Sequence, residues 1–172
     1  MPWGGAPRAR ARRTVAAVLV ALSLTACSPG GGTRTLTDDG ISLMYPESWR
    51  VAGFSTTNSP RRLAVASYPV PEDSVEGDCG GLEAVELLPS DGALVILIDY
   101  GTSASFRERP SVLELADGEF AEYECFGPSS MFRFRVGDRN IQAHVALGPD
   151  ADDALRDQAL AILASLSSRS RG

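Results

Sequence analysis

Three alternating runs near the C-terminus, residues 120–126, 131–136 and 140–147, constrain the fold of this chain more than any other stretch. Apolar and polar residues alternate there with the two-residue period of a strand that buries one face. Joined through Gly127-Pro128-Ser129-Ser130 and Gly137-Asp138-Arg139, the runs predict an antiparallel meander. In that register Cys125, Phe132 and Val145 form one row and Tyr123, Phe134 and Ala143 the next, all on one face. The opposite face sets Glu124 beside Arg133 and His144, and Glu122 beside Arg135 and Gln142. A one-residue slip in either hairpin would mix the two faces, so pattern and register support each other.

The remaining elements follow from the same periodicities. Residues 93–100 are almost continuously apolar, as expected of a central strand covered on both faces. Ile41, Leu43 and Tyr45 alternate with Ser42 and Met44 in a strand that Pro46-Glu47-Ser48 turns into a partner over 49–53. A polar loop over 55–62 leads to an apolar strand at 63–67, then to an acid-rich loop over 69–81 that ends near Cys79. Residues 81–88 carry Leu82, Val85 and Leu88 at helical spacing and stop at Pro89. A loop over 106–110 and a short strand over 111–115 come next. Pro149-Asp150 opens a last helix with Asp150 as its N-cap and Leu155, Ala159, Ile162, Leu163 and Leu166 as its apolar stripe. The fold class expected is α+β: an antiparallel sheet packed by helices, with the C-terminal amphipathic helix on the sheet.

The N-terminus reads as an export signal. Arg8, Arg10, Arg12 and Arg13 precede an apolar run over 14–24, shorter than the roughly 20 residues that cross a bilayer. Leu24-Thr25-Ala26-Cys27 resembles the lipobox of bacterial lipoproteins, in which small residues precede a cysteine that is lipidated and becomes the new N-terminus. The resemblance implies lipidation at Cys27 and anchoring on the outer face of the cytoplasmic membrane. An ordinary cleaved signal with an incidental Cys27 is the alternative. Two acyl chains anchor stably where one binds marginally. The expected division is a signal peptide over 1–26, a lipidated cysteine and Gly-rich tether over 27–35, one domain over 36–168 and a disordered tail over 169–172. Arg12-Arg13 leaves both the Sec and the twin-arginine export routes open.

Without residues 1–26, twelve arginines stand against 22 acids, a net charge of about −10. Such a domain is not expected to bind nucleic acid or anionic headgroups non-specifically. The chain contains no lysine, consistent with GC-rich coding of the kind found in actinobacteria. With Cys27 assigned to lipid, Cys79 and Cys125 remain, and a disulfide is the natural reading in an oxidising compartment. Two free buried thiols are the alternative. Two cysteines and one distant histidine do not supply a standard zinc set, so no metal and no cofactor are expected.

The opening Gly40-Ile-Ser-Leu-Met-Tyr-Pro-Glu-Ser-Trp49 resembles the first hairpin of PsbP-like proteins, a fold shared with several actinobacterial lipoproteins. Residues 134–149 and the following helix are similar to exported actinobacterial proteins. The resemblance implies an antiparallel sheet with helices against it and a binding or accessory role, and it transfers no site residues.

Catalytic patterns are thin. The chain's one histidine, His144, must serve any Ser-His or Cys-His arrangement, and without lysine a Ser-x-x-Lys nucleophile is impossible. No Gly-x-Ser-x-Gly, dinucleotide or Walker loop occurs. Asp150, Asp152 and Asp153 lack the Gly and distal Glu of a calcium loop and suit a helix start. The candidate site is therefore the polar meander face, Glu122, Glu124, Arg133, Arg135, Gln142 and His144. Arginine forks there could hold a phosphate or carboxylate, and Gln and His could hold sugar hydroxyls. The competing reading is a solvated sheet face with cross-strand Glu–Arg pairs. The expected function is a membrane-anchored, non-catalytic binding or accessory module of the cell envelope, with an envelope ligand or protein as partner. The alternatives are a glycan or lipid hydrolase using Glu124 and His144, and a structural envelope protein.

Overall fold

The structure, a computed structural model, describes residues 31–54, 60–77, 79–102, 110 and 118–168. The signal, Cys27, the strand expected at 111–115 and the tail at 169–172 lie outside the described residues.

The fold is α+β with antiparallel sheets. A six-stranded sheet has the order β3-β4-β5-β8-β7-β6, and a three-stranded sheet has the order β1-β2-β9. Their strands are β1 (Thr33–Asp38), β2 (Ile41–Pro46), β3 (Arg50–Phe54), β4 (Arg61–Ala66), β5 (Ala93–Asp99), β6 (Glu119–Tyr123), β7 (Gly127–Val136), β8 (Arg139–Leu147) and β9 (Ser167–Ser168). Helix α1 (Leu82–Glu86) lies between β4 and β5, and helix α2 (Asp153–Ala164) follows β8.

Strand β5 is buried at every position, because the large sheet is covered on both faces. On one face Val95, Phe132, Phe134, Ala143 and Val145 share a core with Ala159, Ile162 and Leu163 of α2 and with Ile41 and Leu43 of β2. On the other, Leu94, Ile96, Ile98 and Ala146 pack with Tyr68, Val75 and Ala84 from the segment that carries α1. That segment, residues 68–88, forms a cap pinned by the Cys79–Cys125 disulfide, by Gly81 N donating to Ser74 O (3.0 Å) and by the Tyr68 hydroxyl donating to Ala84 O. Burial raises the Tyr68 pKa, so the phenol stays protonated and remains a donor.

Several pairings differ from the sequence reading, each for a local reason. Strand β2 pairs with β1, while β3 belongs to the other sheet and pairs with β4. The turn that decides this is Asp39-Gly40, whose φ angles of 44° and 81° suit a two-residue hairpin loop of the primed type. Strand β1 thus starts inside the segment assigned to a tether, and Glu47 N donates to Gly32 O (2.7 Å) even earlier. Pro46-Glu47-Ser48 carries the chain from one sheet to the other and delivers Trp49 into the core, where its indole donates to Gln158 Oε1 (3.0 Å).

The meander is also re-registered. Val136 pairs with Arg139, so Gly137-Asp138 is a two-residue turn with Gly137 at φ 62°, not a three-residue one. That moves β7 against β8 by two residues and leaves the faces intact. The β6–β7 hairpin moves by an odd number of residues: Tyr123 pairs with Gly127, and Glu122 with Pro128. Gly127-Pro128-Ser129-Ser130, expected as a loop, is the start of β7, and Cys125 sits in the turn where it meets Cys79. At the last helix, Asp152 rather than Asp150 is the N-cap, accepting from Leu155 N (2.8 Å).

Candidate functional site

The odd shift in β6–β7 divides the six-residue site expected from the sequence. Arg133 stands opposite Gln142, Met131 opposite His144 and Arg135 opposite Asn140, all on one face. Glu122 projects from the other face, in line with Ser130 and Phe132, because its partner is Pro128. Glu124 lies in the β6–β7 turn and is exposed. Among the described residues no hydrogen bond or ion pair joins Glu122 or Glu124 to Arg133, Arg135 or His144. The face is therefore not the continuous row of Glu–Arg pairs that the sequence pattern suggests.

Nor is it wholly solvated. His144 is 1% exposed, stacked on Phe126 at 4.1 Å between ring centroids and met edge-on by Tyr123 at 4.9 Å. Burial, and secondarily the charge of Arg133, lowers its pKa from 6.5 to about 4, so the ring is neutral at pH 7. Gln142 Nε2 lies 2.8 Å from His144 Nε2; an amide nitrogen can only donate, so this ring nitrogen accepts. The proton of the neutral ring is then on Nδ1, which donates to Ser129 Oγ at 3.2 Å. The Ser129 hydroxyl in turn donates to Gly127 O at 3.4 Å. This relay satisfies every member and leaves His144 Nδ1 without a lone pair toward Ser129, so it is not a base–nucleophile pair.

The relay has a consequence for stability. The unfolded chain takes up the His144 proton near pH 6.5 and the folded chain near 4, so the folded state is at its full advantage above pH 6.5. That advantage is lost as the pH falls from 6.5 through about 4. After allowance for solvent screening, the loss is on the order of 2 kcal/mol. In urea melts between pH 7 and 4.5, His144→Gln is expected to lose correspondingly less stability than the parent; parallel losses would remove His144 as the cause.

A second polar cluster was not anticipated from the sequence. Arg139 pairs with Asp99 and, at 3.1 Å, with Asp39; Arg61 pairs with Asp38 and, at 3.1 Å, with Asp39. Burial acts to lower the Arg139 pKa, but the hydrogen bond and charge of Asp99, and then those of Asp39, more than reverse this and raise it. The available signal was Asp99 itself, a carboxylate closing an all-apolar strand, which needs a buried partner.

An opening lies on the α2 face. Ser130, Phe132, Val145 and Leu147 of the sheet, with Leu160 and Arg156 of α2, line a cleft of about 130 Å³. Phe120 pairs with Ser130 on that face of β6 and is 73% exposed. An apolar floor beneath one guanidinium suits a small ligand with an apolar body and an anionic end. Among the described residues no group of His, Cys, Asp and Glu is placed to hold a metal ion, and no helix is long and apolar enough to cross a membrane.

No family model matches the chain, and no curated protein matches it. Among solved structures it is similar to a crystal structure from Bacteroides thetaiotaomicron VPI-5482, with 12% identity and a TM-score of 0.45 over 83% of this chain and 50% of that one. This chain thus spans half the length of that protein, and at this level the likeness says nothing more about either.

Proposed function

We propose that the chain is an exported lipoprotein, held by lipid on Cys27 at the outer face of the cytoplasmic membrane. Its PsbP-like domain serves as a non-catalytic binding or accessory module of the cell envelope. The observation that carries the export reading is the Cys79–Cys125 disulfide, a bond that persists in oxidising compartments. An antiparallel sheet with helices packed against it supports the PsbP-like assignment. The binding reading rests on the cleft under Arg156. The hydrolase alternative draws no support from the geometry, since Glu124 does not reach a histidine whose ring nitrogens are both engaged. Exposed large apolar residues among those described, Met44, Leu87 and Phe120, lie on separate elements, which favours a binding module over a structural assembly protein.

In fractionated cells the parent is expected with the membranes, released only by detergent, and Cys27→Ser in the soluble exported fraction. A variant that stays membrane-bound would defeat the anchoring reading. The soluble variant also serves to test binding, by thermal shift against fatty acids, lysophospholipids and sugar phosphates. A ligand at a hundred times its dissociation constant adds about 2.7 kcal/mol, and Arg156→Glu is expected to abolish that gain. No shift with any compound, or one unchanged in Arg156→Glu, would remove the cleft as the site.

A further inference from the structure

The outward face of the small sheet is uncharged although the chain is acidic. In the β1–β2–β9 register Thr33 pairs with Pro46, Thr35 with Met44, and Thr37 with Ser42, which also pairs with Ser167. These residues share one face by the two-residue period of the strands. Of the alternate residues, Leu36, Ile41, Leu43 and Tyr45 turn inward to the core shared with α2, while Arg34 and Asp38 sit at the two ends of β1 and pair with Glu47 and Arg61. The outward face therefore holds hydroxyls, a proline and Met44, which is 50% exposed, and no charged side chain. Thr37 Oγ1 and Ser42 Oγ are bonded to each other at 2.8 Å, and the Ser165 hydroxyl ties Met44 to the end of α2.

The tether ends on this sheet. Gly32 is already held by Glu47 N, so four residues, 28–31, separate it from Cys27. Five Cα steps reach at most about 18 Å, so strand β1 is kept close to whatever surface holds the lipid. A domain of about −10 confined there is repelled by an anionic bilayer wherever its carboxylates come within a Debye length, ~8 Å at physiological salt. The orientation with least repulsion sets the uncharged sheet face toward the headgroups, with Met44 as its apolar contact.

Resting on the lipoprotein reading above, we infer that the β1–β2–β9 face is the membrane-facing surface of the anchored domain. Its partner is the lipid headgroup layer, and the α1 cap points away from it.

The experiment uses the full lipidated protein in vesicles of phosphatidylglycerol and phosphatidylethanolamine that carry a headgroup-bound quencher. A dye is placed at Thr35→Cys or Met44→Cys, and in a control at Glu83→Cys on α1, with the native disulfide kept oxidised. Quenching at positions 35 and 44 is expected to exceed that at 83 severalfold. Adding Thr37→Asp to the Met44→Cys protein should reduce it in anionic vesicles more than in zwitterionic ones. Equal quenching at 44 and 83, in protein that floats with the vesicles, overturns the orientation and leaves the anchoring intact. Parent protein that does not float, like its Cys27→Ser control, overturns the anchoring and the orientation with it.

Discussion

Replacing Cys79 and Cys125 together by alanine is expected to destabilise the folded domain by about 4 kcal/mol, the chain-entropy value for closing a loop of this length. The two residues are 46 apart in sequence, with Cα atoms 4.8 Å apart, and they join the cap to the β6–β7 turn. Besides the disulfide, the cap is held by the burial of Tyr68, Val75 and Ala84 against the sheet and by Arg62 of β4 donating to Gly77 O at 2.6 Å. Helix α1 has five residues, far too few to be stable alone, and the side of the sheet it faces is rich in alanine: Ala52, Ala64, Ala66 and Ala146. The opposite core holds Trp49, Phe132 and Phe134 and buries more apolar volume. Loss of the bond should therefore loosen the cap first and the large sheet later. Denaturant melts at matched slope give the free-energy difference, and the melting temperature should fall by roughly 10 °C. In the parent, thiol-alkylating reagents should find neither residue until a reductant is added. A double variant within about 1 kcal/mol of the parent would show that packing alone keeps the cap in place.

Breaking the Arg139–Asp99 pair should cost as much. Asp99 is 8% exposed at its side chain and Arg139 15%, and Arg139 also holds Asp39 in the β1–β2 turn. The cluster thereby clamps the small sheet to one end of the large one. Arg139→Met would leave a buried carboxylate without its cation, a change that costs about 3–5 kcal/mol where one partner of a buried pair is removed. Asp99→Leu would free the carboxylate's other contact, Gly101 N at 2.8 Å. The double variant is nevertheless expected to be more stable than Arg139→Met alone, because no uncompensated charge remains. A full double-mutant cycle measures this. A loss below about 1 kcal/mol for Arg139→Met would place the pair among solvent-screened surface bridges.

The legible part of this fold lies where burial leaves a short repeat in the chain. Residues 93–100 announce a doubly covered strand because every side chain needs an apolar surround, and β5 is buried along its whole length. Phe132, Phe134, Ala143 and Val145 share a core because alternation survives a register error of two. The β6–β7 hairpin was not legible for the opposite reason. Ser129 and Ser130 are polar and follow Gly127-Pro128, which reads as a turn, whereas the Ser129 hydroxyl is satisfied inside the fold by His144 and Gly127. Asp39-Gly40 is a turn signal as strong as any in the chain, but Pro46-Glu47-Ser48 offers a competing one a strand later, and only the assembled sheets separate a hairpin turn from a crossing between sheets.

The candidate site divides along the same line. Residue types and their alternation are local, so Arg133, Arg135, Gln142 and His144 could be put on one face from the sequence alone. Whether that face meets water is a non-local matter. The part of it that is covered, His144, is closed off by Phe126 and Tyr123 at the β6–β7 turn, whose Cys125 is tied to Cys79. Strand pattern therefore settles which side chains travel together. Tertiary closure alone makes one of them, His144, a neutral member of the core rather than an exposed base, because its protonation depends on solvent that the folded meander removes by setting Phe126 and Tyr123 against the ring.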